Sequence, residues 1–165
     1  MAFYYILALV IIGIDQLTKR IIILHMEQGE SIPVIENVFY ITSHRNQGAA
    51  WGILPGQMWF FYIVTVIAVI FIIYYLHKYA KGKPYYSLAL ALMLGGSVGN
   101  FIDRLLRKEV VDFLDVKIFG YDFPIFNIAD SCLTAGVILL ILAMLLEERK
   151  IKKEKEYGEN NAHRP

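Results

Sequence analysis

The side chains with most chemical potential lie between positions 99 and 130 of an otherwise apolar chain. There the sequence reads Gly-Asn-Phe-Ile-Asp-Arg over 99–104, Val-Val-Asp-Phe over 110–113 and Phe-Asn-Ile-Ala-Asp-Ser over 126–131. Asp103, Arg104, Asp112 and Asp130, with the amides of Asn100 and Asn127, thus sit at the ends of two segments long enough to span a bilayer. An ionisable side chain at the centre of a span costs roughly 2.5–3.5 kcal/mol, so several kept close together point to use. Two carboxylates that approach each other cannot both ionise readily and share one proton. Such a pair can hold a water, take its proton and protonate a departing amine.

Composition places these residues in a membrane. The chain has 165 residues, 57% of them hydrophobic, and a mean hydropathy of +0.49, above the 45–50% apolar content of ordinary soluble domains. Sixteen Lys and Arg nearly balance fifteen Asp and Glu, which gives no electrostatic case for nucleic acid. The single cysteine, Cys132, excludes an internal disulfide and a cysteine-based zinc site.

Four stretches, residues 3–24, 58–77, 86–106 and 125–146, match the ~20 apolar residues that a membrane helix needs. The first lacks a basic leader and a small-residue cleavage site, and carries Asp15 and Lys19, so it reads as a retained span. Lys78, Lys81 and Lys83 follow the second span, and Arg149, Lys150, Lys152, Lys153 and Lys155 follow the fourth. The positive-inside rule makes that face, and both termini, cytoplasmic; Lys19, Arg20, Arg107 and Lys108 oppose this with smaller weight. Residues 1–146 form one membrane-embedded domain, and 147–165 a polar, partly disordered cytoplasmic tail. Outside the membrane, Ser-Ile-Pro-Val-Ile-Glu-Asn-Val-Phe-Tyr-Ile-Thr-Ser over 31–43 suggests an extended strand. Residues 110–116 and 117–123, the latter broken by Gly120, suggest a second strand or hairpin. Residues 49–54 suggest a short interfacial helix anchored by Trp51.

This topology brings polar residues from four segments to one depth. Asn100, Asp103 and Arg104 share a helical face at i, i+3 and i+4, and Asn127 and Asp130 share another. Asp15 and Lys19 form an i, i+4 pair that reads equally well as a purely structural one. Asp103 beside Arg104 reads as a structural salt bridge rather than a proton-transfer pair, and Gly95 with Gly99 as close helix packing. Asn100 and Asn127 suit either helix cross-linking or holding a substrate backbone. Asp112, in a segment read as strand, and Asp130 have no helical basic partner, and they are the candidate reacting pair. Adjacent Ser43 and His44 do not suit a serine nucleophile and its base, which normally meet from separate segments. The four histidines show no metal-ligand spacing, and Cys132 reads as a small packing residue; neither metal nor cofactor is expected.

Five motifs in order carry a resemblance: Asp15-Gln-Leu-Thr-Lys19, Asn46-Gln-Gly-Ala-Ala-Trp-Gly52, Gly99-Asn-Phe-Ile-Asp-Arg104, Val111-Asp-Phe113 and Phe126-Asn-Ile-Ala-Asp130. The chain resembles the bacterial lipoprotein signal peptidases (signal peptidase II), Bacillus-type members most of all, over nearly everything but the tail. Trp51 stands where other members carry another aromatic. The resemblance implies an intramembrane aspartic endopeptidase that cuts prolipoproteins just before a diacylglyceryl-modified cysteine. It places the catalytic aspartates on Asp112 and Asp130. Asn46, Gly48, Asn100, Asp103, Arg104 and Asn127 fall on positions that line or support the pocket, and Asp15 and Lys19 on a structural pair. The implied fold is an α-helical membrane protein, four transmembrane helices with a small extracytoplasmic β-cradle and a short surface helix. Expected partners are diacylglyceryl-modified prolipoproteins and membrane lipids, with no nucleic acid and a monomeric state. The expected location is the bacterial cell membrane, with the site near the outer leaflet.

Two other classes make different expectations. A small ion or proton translocator would string its carboxylates through the bilayer depth. A metal-dependent lipid-phosphate transferase would hold Mg²⁺ on its aspartates and lose activity to chelators.

Overall fold

A computed structural model describes residues 1–48, 53–79, 82–118 and 120–162. Four helices and a small sheet make up the described chain. In order they are α1 (Ala2–His25), β1 (Ser31–Ile35), β2 (Phe39–Asn46), α2 (Met58–Tyr79), α3 (Pro84–Arg107), β3 (Val110–Ile118), β4 (Tyr121–Asp122) and α4 (Ile128–Ala162).

Among the described residues, α2, α3 and α4 are long and apolar enough to cross a membrane. α1 is as long as α3, at 24 residues, but Asp15, Lys19 and Arg20 interrupt its apolar run. Its two faces are inverted relative to a soluble helix. Phe3, Ile6, Val10, Ile14, Leu17, Ile21 and Leu24 are exposed, while Asp15 and Lys19 are completely buried. α2 is apolar on every side and buries only Phe61, Ile72 and Leu76, the pattern of a helix that meets lipid rather than water.

α3 is the axis of the bundle, packed against α1, α2 and α4. Its buried face is mostly small residues, Ser87, Ala89, Ala91, Gly95, Gly96 and Gly99, which lets neighbouring backbones approach closely. A Cβ at Gly95 would lie 2.8 Å from Ile11 Cβ of α1, and one at Gly96 would lie 2.4 Å from the Ala129 carbonyl of α4. The helix-packing reading of Gly95 and Gly99 therefore holds. Pro84 opens α3 and Lys108, in left-handed conformation at φ 63°, closes it by donating its N–H to the Arg104 carbonyl. Two residues later the chain enters β3, which brings Asp112 back over the end of the bundle.

The sheet is antiparallel in the order β1-β2-β3-β4. Residues 31–43 form a hairpin and not one strand, because Asn37 takes φ 61° and reverses the chain between Ile35 and Phe39. The β2–β3 register slips between Ile41 and His44, so that Thr42 and Ser43 together face Phe113. Bulges of this kind re-aim the side chains beside them, and this one directly precedes the His44–Asp112 pair.

Two boundaries differ from the sequence expectation. The fourth helix starts at Ile128 and not at 125, since Phe126 pairs with Leu114 as an isolated β-bridge and Asn127 caps the helix. The segment from 147, expected to be partly disordered, continues α4 as helix to Ala162. Pairs four residues apart, Glu148 with Lys152 and Lys150 with Glu154, favour that continuation. Of the expected surface helix, 49–52 lie outside the described residues; Ile53 and Leu54 are not helical.

Candidate active site

The site is built outward from a buried ion cluster. Lys19 Nζ lies 2.9 Å from Asp15 Oδ2 and 3.0 Å from Asp103 Oδ2, all three side chains being fully buried. Arg107 Nη1 adds a second cation at 2.8 Å from Asp103 Oδ1. The remaining acceptor positions are filled: Ala129 N–H donates to Asp15 Oδ1 at 2.9 Å, and Val111 N–H donates to Asp103 Oδ2 at 3.2 Å. Gln16 Nε2 reaches Asp15, Asp103 and the Gly99 carbonyl at 3.1–3.2 Å. A buried pair is tolerable only when its spare valences are met like this. The cluster locks α1, α3, the start of β3 and the start of α4 together.

Asp103 was expected to pair with Arg104. It pairs with Lys19 and Arg107 instead, because adjacent helical residues face different directions whereas i+4 residues share a face. Arg104 turns away, its guanidinium 4.8 Å from the centre of the Phe61 ring and its Nη2 3.3 Å from the Gly48 carbonyl. Its Nε is buried with no hydrogen-bond partner among the described residues.

Two amides carry the order of this cluster to the carboxylates. Lys19 Nζ also donates to Asn100 Oδ1, at 2.9 Å. With that oxygen committed, Asn100 Nδ2 is aimed at Asp130 Oδ1, 2.7 Å away. Asn127 Nδ2 lies 3.1 Å from the same Asn100 oxygen and 2.6 Å from Asp112 Oδ1. Asn46 Nδ2 donates to Asp112 Oδ2 at 3.1 Å, while its Oδ1 accepts the Gly48 N–H at 2.9 Å. Asp130 Oδ2 accepts the Asn127 backbone N–H at 3.2 Å, so Asp112 and Asp130 are each held through both carboxylate oxygens by amide N–H groups from different elements.

Both carboxylates line a pocket of about 970 Å³. Asn46, Gly48, Asn100 and Arg104 line it too, with Phe123, Phe126, Leu133 and Ile138 forming an apolar extension along α4. Burial, reinforced by the nearby Asp130 charge, pushes Asp112 up from the usual carboxylate value to about 7, against the opposing hydrogen bonds from Asn46 and Asn127. A carboxyl that stays protonated to near neutrality beside a second carboxyl can share a single proton with it.

Of the residues singled out from the sequence, Asn46, Gly48, Asn100, Arg104, Asp112 and Asp130 meet at this pocket. Asp15, Lys19, Asp103 and Asn127 lie behind it, completely buried. Sequence reading missed Gln16, Phe61 and Arg107, and it set His44 aside. Gln16 carried a signal, as an uncharged polar residue inside an apolar run, and Arg107 carried the i+4 spacing from Asp103. His44, discounted with Ser43, lines the pocket through its pairing opposite Asp112. Ser43 is buried in the sheet and takes no part in the pocket lining.

Comparison with known proteins places this architecture. Residues 7–146 match the family model described as signal peptidase (SPase) II. The lipoprotein signal peptidase of Bacillus subtilis (strain 168) is 60% identical over 151 residues, 92% of this chain and 98% of that protein. A bacterial membrane enzyme solved by the in meso method at 2.3 Å superposes with a TM-score of 0.85 at 51% identity, over 90% of each chain. A second such structure, at 1.9 Å, gives 0.81 at 52% identity, over 88% of this chain and 94% of the other. Matched almost end to end in sequence and in structure, the chain belongs to the signal peptidase II family.

Proposed function

We propose that this peptidase removes signal peptides from prolipoproteins with Asp112 and Asp130 as its catalytic pair, cutting before a diacylglyceryl-modified cysteine. The observation that carries the assignment is the sharing of one pocket by two carboxylates, each oriented through both oxygens by amides from separate elements. A water between them gives its proton to the ionised member as it attacks the scissile carbonyl. The protonated member donates a hydrogen bond to the carbonyl oxygen as charge develops there, and the proton then passes to the departing amine. The pair shares one proton in this scheme, and the upward shift of Asp112 to about 7 keeps a carboxyl protonated to near neutrality. Arg104 Nε suits a substrate backbone carbonyl, Asn46 orients Asp112 from the pocket wall, and the apolar wall of Phe123, Phe126, Leu133 and Ile138 suits the lipid and the signal helix.

The fold supports four membrane crossings, with α1 as the fourth span. Its exposed apolar stripe and buried charges fit lipid outside and protein inside. Both termini are then cytoplasmic, and the sheet with the pocket lies at the outer leaflet, where a lipidated cysteine resides. A monomer satisfies this scheme, since all the proposed groups come from one chain. An ion translocator is disfavoured because the buried charges gather at one end of the bundle.

The test is cleavage of a purified prolipoprotein with and without its diacylglyceryl group. The modified form is expected to be cut and the unmodified form to be cut far more slowly. Equal rates would remove the lipid-recognition part of the proposal.

A further inference from the structure

The opposite end of the bundle holds a second cavity with its own chemistry. α2 takes α3 as its main packing partner, and a crevice of about 400 Å³ remains between α2 and α4. Its deeper wall is apolar, made by Leu90, Leu140 and Met144, and its rim is made by Tyr75, Tyr79, Tyr86, Lys83 and Glu147. That volume falls in the range of small-molecule sites. In a bilayer, such a crevice faces hydrocarbon along its deeper wall and the headgroup layer at its rim.

The rim is ordered and cationic. Tyr79 stacks on Tyr75 and on Tyr86 with ring centres 5.8 Å and 5.7 Å apart. Lys83 Nζ lies 5.0 Å from the Tyr79 ring centre and 5.2 Å from that of Tyr86, and it pairs with Glu147 at 2.5 Å. Tyr86 donates its hydroxyl hydrogen to the other Glu147 oxygen at 2.6 Å. Lys78 stands over the same stack, 5.7 Å from Tyr79 and 6.0 Å from Tyr75. Within the lining Glu147 offsets Lys83, and the excess positive charge comes from Lys78, which lies beside the lining but within 6.0 Å of two of its rings. Aromatic rings and lysines at this depth, above an apolar slot, match the two halves of a phospholipid.

We infer that this crevice is a binding site for an anionic phospholipid, one acyl chain lying against Leu90, Leu140 and Met144 and the phosphate held by Lys78 and Lys83. A zwitterionic lipid fits the slot equally well but lacks the net charge that the rim complements. The site is independent of which residues cleave the substrate and rests only on the bundle crossing the bilayer.

The full chain, purified in detergent, is titrated with phosphatidylglycerol and with phosphatidylcholine of identical acyl chains, and retained lipid is counted by native mass spectrometry. Glycerol phosphate serves as the headgroup without chains. Phosphatidylglycerol is expected to bind in preference, and Lys78→Gln and Lys83→Gln each to weaken it about fivefold. Leu140→Phe, which fills the slot, is expected to reduce retention of both lipids while leaving prolipoprotein cleavage intact. Equal binding of the two lipids overturns the inference, as does a preference that survives the double lysine variant. Glycerol phosphate binding as tightly as the lipid would assign the rim to a free anion and overturn it too.

Discussion

Asn127 and Asp130 bond each other twice: Asp130 N–H donates to Asn127 Oδ1 at 2.9 Å, and Asn127 N–H donates to Asp130 Oδ2 at 3.2 Å. This is a capping box, in which the residue before the helix and the third residue inside it satisfy each other's backbone donors. One carboxylate of the proposed pair is thus also part of the device that starts α4. The Asn127 side chain meanwhile reaches Asp112, so a local helix start fixes the relation of the two acids.

Breaking the box separates structure from chemistry. Asn127→Ala removes the cap and the amide to Asp112 together. The cap alone is worth about 0.5–2 kcal/mol, so thermal unfolding in detergent is expected to fall modestly while cleavage falls by orders of magnitude. Asn127→Ser restores a capping oxygen without the long amide and is expected to recover stability but little activity.

The sign of the Asp112 shift makes two pH predictions. Its value rises from 3.8 to about 7 on folding, so the folded protein binds this proton more tightly than the unfolded chain. Its contribution to stability therefore declines as pH rises from about 4 to about 7 and is level above that. Asp112→Asn has no such dependence, and the difference in melting temperature, variant minus parent, is expected to grow across that window. The same titration in the enzyme predicts that kcat/KM falls about tenfold per pH unit above neutrality. A rate that stays level to pH 9 would exclude a proton shared by the pair and lost near neutrality.

The ion cluster behind the pocket predicts a large loss of stability from one substitution. Lys19→Met leaves Asp15 and Asp103 buried without their shared cation. Breaking a buried pair on one side costs about 3–5 kcal/mol. Unfolding measured by thermal shift in detergent is expected to show it, and Arg20→Met, beside it on the exposed face, to change little.

Glycine substitutions probe the packing of α3. Gly96→Ala places a methyl 2.4 Å from the Ala129 carbonyl, and Gly99→Ala places one 2.7 Å from Asp15 Oδ2. Overpacking of this kind costs about 1–3 kcal/mol. At Gly13, by contrast, a methyl meets nothing within 4 Å, and Ala is expected to stabilise α1 by about 0.5–1 kcal/mol.

Much of this was legible in the sequence, for identifiable reasons. Long apolar runs located the first three helices and the start of the fourth to within a few residues, but not the continuation of α4 from 147 to Ala162, which is polar. The motifs named several of the residues that converge at the pocket. Three-dimensional pairing was less legible. Asp103 was matched to its neighbour Arg104 because the two are adjacent, although helical geometry favours Arg107 four residues on. The hairpin within 31–43 was hidden because Asn37 is its lone left-handed residue and no glycine marks the turn. Nor could spacing show that Asn100 and Asn127 form one chain of hydrogen bonds. That depends on Lys19, eighty-one residues away from Asn100, occupying the Asn100 oxygen.

The most direct test of the central claim is prolipoprotein cleavage by Asp112→Asn and Asp130→Asn, each purified and shown by thermal unfolding to be folded. Loss of general acid–base catalysis is worth about 10²–10⁴-fold for one group, and each variant is expected to lose at least that much against a diacylglyceryl-modified substrate. Near-parental cleavage by either folded variant would contradict the assignment of Asp112 and Asp130 as the catalytic pair.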